Sequence, residues 1–158
     1  MADKVIFGSD HAGLHLRAEA VKAARESGHE VEDLGPAATD SVDYPDYAAK
    51  VAHAVVEGRA RFGVLVCGTG IGMCISANKV HGVRAALCGS EFEARMARAH
   101  NDANVLCLGE RVVGAGLGGS IVKAFLEAKF EGGRHERRVQ KIAALEREAA
   151  GKTQEPGR

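Results

Sequence analysis

Residues 62–79, FGVLVCGTGIGMCISANK, place an apolar run directly before a glycine-rich turn and a helix-like stretch. The run FGVLVC (62–67) is typical of a buried strand, because it is short, apolar and rich in β-branched residues. Glycines at 68, 70 and 72 allow the chain to turn sharply into a helix predicted over 71–78. A strand followed at once by a helix is the repeating unit of α/β folds, so this segment indicates a parallel sheet covered by helices.

The same alternation continues on both sides of this segment. Strands are predicted at 4–9, 30–34, 62–67, 83–88 and 104–109. Helices are predicted near 13–27, 45–57, 71–78, 90–100, 114–130 and 134–149, and the turn-rich segment 35–46 is expected to be a surface loop. The fold class that follows is α/β, a three-layer sandwich with a five-stranded parallel sheet.

Length and composition favour a single domain. A chain of 158 residues that is 46% hydrophobic can bury one core but is short for two. We therefore predict one domain over 1–150, followed by a disordered tail over 151–158, GKTQEPGR, which has no apolar residue to bury. In the last helix, an apolar stripe packs either on its own sheet or on a partner subunit; its residues are Val139, Ile142, Leu145 and Ala149.

Charge and hydropathy exclude several classes of partner. Lys and Arg number 21, and Asp and Glu also number 21, so no overall field favours nucleic acid or an anionic membrane. No run of about 18 apolar residues occurs, and the start, MADKVIFGSD, does not resemble a secretory signal. We expect a cytoplasmic protein that binds neither nucleic acid nor a membrane.

The four cysteines show no metal-binding spacing. Cys67, Cys74, Cys88 and Cys107 include no C-x-x-C pair, and none has a neighbouring pair of histidines of the kind that zinc sites use. We predict free thiols and no metal site. Cys74, Cys88 and Cys107 are expected to be small buried hydrophobic residues.

The glycine turn does not match the common nucleotide-binding loops. A P-loop requires Lys and then Ser or Thr after its last glycine, but Gly72 is followed by Met73 and Cys74. A dinucleotide fingerprint belongs in the first strand-to-helix turn, which here reads GSDHAG (8–13) rather than G-x-G-x-x-G. Asp33 ends the second strand, where a ribose-binding acid would lie, so a nucleotide-binding module remains an alternative.

Cys67 lies where ligands bind in open α/β sheets, beyond the carboxyl end of a strand. Backbone N–H groups of a glycine turn at a helix start can approach a ligand closely and favour negative charge. The same groups favour a thiolate over a thiol, so Cys67 is predicted to accept a proton. The alternative is a buried apolar cysteine at a strand end.

Asp10 and His11 follow the first strand and are expected to face the same crevice as Cys67. Asp10 also suits the N-cap of the first helix. Capping is the alternative for Asp10, and it is compatible with a role in the site.

His100 and Asn101 come from a helix-to-strand turn, and Arg111 follows in GERVVG (109–114). In a single subunit such a turn lies at the opposite end of the sheet from Cys67. A functional His100 would therefore serve the site of a neighbouring subunit.

Arg134 and Arg138 are four residues apart at the start of the last helix. They therefore lie on one face, where their planar donors can grip a phosphate group. A solvated basic face is the alternative.

Five segments in this order closely resemble the B-type ribose-5-phosphate isomerases, whose family also includes isomerases of allose and galactose 6-phosphates. The segments are GSDHAG (8–13), DYPDYA (43–48), VCGTGIGMCISANK (66–79), HNDANVL (100–106) and EGGRHERRV (131–139). The resemblance implies a Rossmann-like fold and a homodimer or a dimer of dimers that interconverts ribose 5-phosphate and ribulose 5-phosphate in the pentose phosphate pathway. It also implies that no metal or other cofactor takes part.

The resemblance assigns a role to each matching residue. Cys67 corresponds to the base that moves a proton between C1 and C2, and His100, supplied by the partner subunit, corresponds to the acid that opens the furanose ring. The backbone amides that would surround the enediolate belong to Gly68, Thr69, Gly70, Ile71 and Gly72. Six further positions match substrate contacts: Asp10 and His11 for the sugar, Asn101 and Arg111 from the partner, and Arg134 and Arg138 for the phosphate.

One branch of the family lacks the cysteine and carries a glutamate just after the glycine loop. Here Met73 follows Gly72, so this chain resembles the cysteine branch. Substrates of five and six carbons differ by one carbon, and the sequence leaves open a preference for allose or galactose 6-phosphate.

Overall fold

The computed structural model describes residues 2–152, which form five strands and six α-helices. The strands are β1 (Lys4–Ser9), β2 (Glu30–Asp33), β3 (Phe62–Cys67), β4 (Ala85–Leu87) and β5 (Val105–Gly109). The helices are α1 (Leu14–Glu26), α2 (Tyr44–Val56), α3 (Ile71–Ala77), α4 (Glu91–Asn101), α5 (Ala115–Glu127) and α6 (Arg134–Lys152), and a 3₁₀ turn at His11–Gly13 precedes α1.

The five strands form one parallel sheet in the order β2-β1-β3-β5-β4. In the central three strands, Ser9 pairs with Val66, and Cys67 pairs with Gly109. The carboxyl ends of β1, β3 and β5 therefore lie together at one edge of the sheet. The predicted five-stranded parallel sheet is confirmed.

Side chains alternate between two apolar cores, as the period of two residues in a strand requires. Val5 and Phe7 of β1 point into a core formed with α1, α4 and α5. Ile6, between them, points into a second core formed with α2 and α3. Every residue of β3 is buried, which is expected for a central parallel strand covered on both faces. The predicted three-layer sandwich is confirmed.

Two of the predicted boundaries differ from the structure for reasons that the contacts show: a tertiary hydrogen bond in one case and a proline in the first helical turn in the other. The strand predicted over 83–88 is shorter, since the Asn104 side chain accepts from the Arg84 backbone N–H at 2.8 Å and donates to the Gly82 carbonyl at 2.9 Å. The loop predicted over 35–46 ends earlier, because α2 begins at Tyr44 with Pro45 in its first turn. Proline is well tolerated there because that N–H has no helical partner.

Helix α6 is largely exposed along its length. His135 is its buried residue, whereas Ile142 and Leu145 of the apolar stripe are 45% and 66% exposed. The sheet of the same chain therefore does not cover this stripe. The helix continues to Lys152, so residues 151–152 of the predicted tail are helical, and 153–158 lie outside the described residues. The extent of the single domain stays a prediction.

Across residues 2–152, no helix combines the length and the apolar character needed to cross a membrane.

Candidate active site

A cleft of about 480 Å³ opens at the carboxyl ends of β1, β3 and β5. Its position follows from the strand order: the chain leaves β1 toward β2 on one side of the sheet and leaves β3 toward β4 and β5 on the other. Ligands of open α/β sheets bind at such a switch point. The cleft is lined by Asp10, His11, Ala12, Tyr44, Cys67, Gly68, Thr69, Ile71, Gly72, Ile75 and Arg111.

Cys67 is the last residue of β3, and its side chain is almost fully buried at the base of the cleft. The backbone N–H of Gly70 donates to its Sγ at 3.1 Å. A helix as short as α3, with seven residues, has a small macrodipole, so this local N–H is the main polar contact at the sulfur. Cys67 is thus a buried thiol with one hydrogen-bond donor aimed at it and open access to the cleft.

Gly70 allows that donor to reach the sulfur. Its φ of +78° is unfavourable for other residues, and a Cβ would lie 2.5 Å from Cδ1 of Leu87 and 2.8 Å from the backbone of Leu108. A side chain at this position would therefore push the glycine loop away from β5.

The loop after β5 holds the glycine loop in place. The N–H of Glu110 donates to the Cys67 carbonyl, and the N–H of Arg111 donates to the Gly68 carbonyl, both at 2.9 Å. Gly109 packs so tightly that a Cβ would lie 2.5 Å from the backbone carbonyl of Thr69. The position of the cleft backbone is therefore set by β5 and not by α3 alone.

Gly109→Ala is expected to lower the free energy of unfolding by about 1 to 3 kcal/mol, because the added methyl group overpacks a backbone that cannot move freely. Gly116→Ala is the matched control, since no atom lies within 4 Å of a Cβ at that position in α5. Denaturant unfolding measures both variants. Equal midpoints for the two variants would contradict the close approach of Gly109 to the glycine loop.

Arg111 lies in the same cleft as Cys67 of its own chain. Atoms of its guanidinium group lie 3.4 and 3.5 Å from where a Cβ of Gly68 would stand. The expectation that Arg111 reaches in from a partner subunit is therefore wrong. The physical reason is that Arg111 follows the carboxyl end of β5, which lies at the same edge of the sheet as the end of β3.

Asp10 and His11 lie at this edge, as the sequence predicted. Asp10 is buried, and its Oδ1 accepts from the Ala12 N–H at 2.9 Å, so the capping role is confirmed for the 3₁₀ turn. Nδ1 of His11 accepts from the Val42 N–H at 3.2 Å, which places the proton of a neutral ring on Nε2. Both residues line the cleft beside Cys67.

Tyr44 is a cleft residue that sequence reasoning missed. Its ring packs against the glycine loop so closely that a Cβ on Gly72 would lie 2.6 Å from a ring carbon. The signal was its place in DYPDYA (43–48), a segment that carries part of the family resemblance. Tyr44 therefore forms part of the cleft wall beside the glycine loop.

Asp33 has partners within the chain. Its carboxylate lies 3.1 Å from Nε of Arg17 and accepts from the Gly35 N–H at 3.0 Å. Arg17 is buried and also donates to the Pro36 carbonyl at 2.6 Å. The position of Asp33 is thus explained by a structural network, which removes the residue on which the nucleotide-binding alternative depended.

His100 lies in a second cluster, which we call the histidine cluster: His100, Glu131 and His135. The two imidazole rings stack with centroids 4.0 Å apart and planes 6° from parallel. His100 lies in the last turn of α4, before β5 begins, whereas Cys67 pairs with the end of β5 at Gly109. The length of β5 therefore separates His100 from Cys67 by roughly 13 Å along the strand direction. One chain does not bring His100 to Cys67.

Arg134 and Arg138 lie beside the histidine cluster and not beside Cys67. Both are exposed at the start of α6. Burial lowers the pKa of His135, and the positive charges of His100, Arg134 and Arg138 lower it further. One chain therefore gathers the predicted ring-opening residue and the predicted phosphate ligands on a surface separate from its cleft.

Asp102 fixes the turn that carries His100 and Asn101. It adopts φ 47°, a left-handed conformation that Asp tolerates better than most residues, and it ends α4. Its carboxylate accepts from Arg98 at 2.7 Å and from Arg84 at 3.0 Å. Asn101 lines a cavity of about 240 Å³ that β4 shares with α6.

All four cysteines are free thiols, as predicted. Cys88 and Cys107 are buried, and burial raises the pKa of Cys88 to about 12. Cys74 is only half-buried, contrary to expectation, and a hydrogen bond from the Cys107 thiol lowers its pKa to about 7. Cys74 does not line the cleft, so this thiol is separate from Cys67.

Comparison with known proteins gives consistent matches over nearly the whole chain. The family model described as Ribose/Galactose Isomerase matches residues 5–142. Ribose-5-phosphate isomerase B of Escherichia coli is 48% identical over 143 residues, 90% of this chain and 96% of that protein. A solved structure of the Clostridium thermocellum ribose-5-phosphate isomerase B is 50% identical, with a TM-score of 0.90 over 92% of this chain and 99% of the other.

A second solved structure contains a bound sugar phosphate. The Mycoplasma genitalium ribose-5-phosphate isomerase B with bound ribulose-5-phosphate is 46% identical to this chain, with a TM-score of 0.89. The match covers 94% of this chain and 99% of the other.

Proposed function

Because this chain belongs to the ribose/galactose isomerase family, we propose that it interconverts ribose 5-phosphate and ribulose 5-phosphate. The observation that supports this most directly is the thiol of Cys67, which opens into the cleft with the Gly70 N–H directed at its sulfur. The test is the formation of ketose from ribose 5-phosphate by the purified chain. A chain that forms no ketose at any substrate concentration would contradict the proposal.

The chemistry requires a base and a group that stabilises negative charge. An aldose becomes a ketose by loss of a weakly acidic C–H beside a carbonyl, and charge then develops on oxygen. Cys67 is the proposed base that carries the proton between C1 and C2, for which the typical gain is roughly 10²- to 10⁴-fold in rate. The glycine-loop amides, from Gly68 to Gly72, are the proposed donors to the enediolate, and one such donor is typically worth about 3 to 4 kcal/mol.

Asp10, His11 and Arg111 are the proposed contacts that one chain makes with the sugar. All three line the cleft around Cys67. Asp10 is held by its hydrogen bond to Ala12, so its carboxylate is preorganised for a sugar hydroxyl. These contacts hold C1 and C2 near the sulfur and reduce the entropy lost on reaching the transition state.

We propose that the complete site is shared between two subunits of a homodimer or a dimer of dimers. His100, Asn101, Arg134 and Arg138 would come from the partner, because in their own chain they do not line the cleft. The rim of the cleft also exposes large apolar side chains that suit a subunit interface. Those at the cleft are Tyr44, Ile71 and Ile75, and Leu87, Phe92 and Val112 are exposed on neighbouring elements.

Arg138→Ala is expected to raise KM for ribose 5-phosphate about tenfold or more, because a hydrogen bond to a charged group is worth about 1.5 to 3 kcal/mol. Phosphate takes no part in bond changes, so kcat should fall less than kcat/KM. Arg137→Ala is the matched control, since Arg137 is exposed on the same turn of α6 but does not share the face of Arg134 and Arg138. An unaltered KM for Arg138→Ala would argue against the phosphate role.

The number of carbons in the substrate is the part of the proposal for which an alternative remains, a six-carbon sugar phosphate. A pocket that distinguishes one carbon typically does so by about 1 to 3 kcal/mol. Values of kcat/KM for ribose 5-phosphate, allose 6-phosphate and galactose 6-phosphate, measured side by side, decide between them. All three substrates are charged phosphate esters that do not cross a bilayer, which supports the expected cytoplasmic location.

A further inference from the structure

We propose that the histidine cluster binds a divalent transition-metal ion such as Zn²⁺, and that the ion inhibits the enzyme by withdrawing His100. The metal site is argued from geometry alone, and only its inhibitory effect rests on the proposed function. The ion would act as a reversible inhibitor and would not be a cofactor of the isomerisation.

The three side chains already converge. One ligand atom of each lies within 4.8 Å of the other two. Nε2 of His100 is 3.8 Å from Oε2 of Glu131, and Nε2 of His135 is 3.5 Å from the same oxygen. Zinc bonds of about 2.0 to 2.2 Å at tetrahedral angles place ligand atoms roughly 3.3 to 3.6 Å apart, so small movements suffice.

Backbone contacts bring these side chains together. The Glu131 N–H donates to the Ala99 carbonyl at 3.0 Å, which ties the loop before α6 to the end of α4. Gly132 and Gly133 have φ of 65° and 55°, and this left-handed turn directs Glu131 and His135 toward His100. Two histidines and one carboxylate form a common zinc ligand set that leaves a fourth position for water.

The stacked rings explain why binding would inhibit. A nitrogen lone pair lies in the plane of its ring, so two parallel rings cannot both direct a lone pair at an ion between them. One ring must turn, and the side chain of His100 is 36% exposed whereas that of His135 is 8% exposed. His100 is therefore the ring that moves, and a coordinated Nε2 can no longer carry a proton to the sugar.

Neighbouring charges set the strength of the site. The positive charges of Arg134 and Arg138 lie close enough to His135 to lower its pKa. The same charges oppose the binding of a cation at the histidine cluster. Glu131 is the nearest compensating anion. We therefore expect an ion that a chelator removes readily, and binding that depends strongly on Glu131.

Cobalt provides a direct test of the ligand set. Chelator-treated full-length protein is titrated with Co²⁺, and visible absorption is recorded for wild type, Glu131→Gln and Glu127→Gln. Glu127 is the matched control, an exposed glutamate at the end of α5 outside the cluster. We expect tetrahedral d–d bands without sulfur charge transfer, and a loss of affinity of about tenfold or more for Glu131→Gln alone. A sulfur charge-transfer band, or equal affinities for the three proteins, would overturn the site.

Measurements of turnover test whether the bound ion inhibits the enzyme. Zn²⁺ should inhibit wild type and Glu127→Gln, a chelator should reverse the inhibition, and Glu131→Gln should need about tenfold more Zn²⁺ relative to its own metal-free rate. Cobalt binding that depends on Glu131 without any loss of turnover would overturn the inhibitory role. A protein without isomerase activity would contradict the proposed function, and the cobalt titration would still decide the site.

Discussion

Cys67→Ala is expected to lower kcat for ribose 5-phosphate isomerisation by roughly 10²- to 10⁴-fold and to leave binding of the phosphorylated sugar largely intact, because it removes the proposed base without removing a proposed contact to phosphate. The substitution deletes one sulfur from a buried position at the end of a strand. The hydrogen-bond donor, the Gly70 N–H, then faces the cleft instead of a side chain. Asp10 and Arg111, the proposed ground-state contacts with the sugar, still line the cleft.

Turnover and the dissociation constant of ribose 5-phosphate are measured on the same preparation. Cys74→Ala is the matched control, because Cys74 is the half-buried thiol with a pKa of about 7 and it lies outside the cleft. We expect the control to keep its turnover. Unchanged kcat for Cys67→Ala would remove Cys67 as the base, and the glycine loop, 68–72, contains no carboxylate to replace it.

The sequence correctly predicted the strands whose ends are determined by neighbouring residues in the chain. The bounds of β1 and β3 match the predictions, because each strand is a short apolar run with turn-forming residues at its carboxyl end. The predicted bounds of β4 were wrong. The side chain of Asn104, twenty residues away, accepts a hydrogen bond from the Arg84 backbone N–H, so this N–H does not pair with a neighbouring strand. Such a contact depends on tertiary structure and leaves no periodic signal in the sequence.

The residues of the candidate site also fall into two groups, those that the sequence predicted and those that depend on tertiary contacts. Asp10, His11 and Cys67 were predicted to meet because each lies at the carboxyl end of a parallel strand, and these ends share one edge of the sheet. Arg111 follows the same rule, but it was grouped with the turn before β5 and so was placed on the wrong subunit. Glu131 and His135 meet His100 only because α6 docks on α4, a contact between elements that no local pattern indicates.

Hybrid oligomers of a Cys67→Ala chain and a His100→Ala chain are expected to recover activity that neither variant has alone. If each site takes Cys67 from one chain and His100 from its partner, one of the two sites in a twofold-symmetric hybrid carries both substitutions and the other carries neither. A purified hybrid should then have about half the turnover of wild type, whereas each parent oligomer stays inactive. Differently tagged chains, mixed and separated on both tags, provide the hybrid.

A second hybrid makes the opposite prediction and serves as the control. Pairing wild type with a chain that carries both substitutions leaves each shared site with one damaged residue, so this hybrid should be inactive. A site built within one chain would reverse both outcomes, because one wild-type chain would then keep a complete site. That reversal would contradict the shared site. If the His100→Ala oligomer is instead active by itself, His100 is not the required acid, and His11, which lines the same cleft as Cys67, becomes the candidate acid that opens the ring. The roughly 13 Å of β5 between the levels of His100 and Cys67 is the physical reason to expect the first pattern.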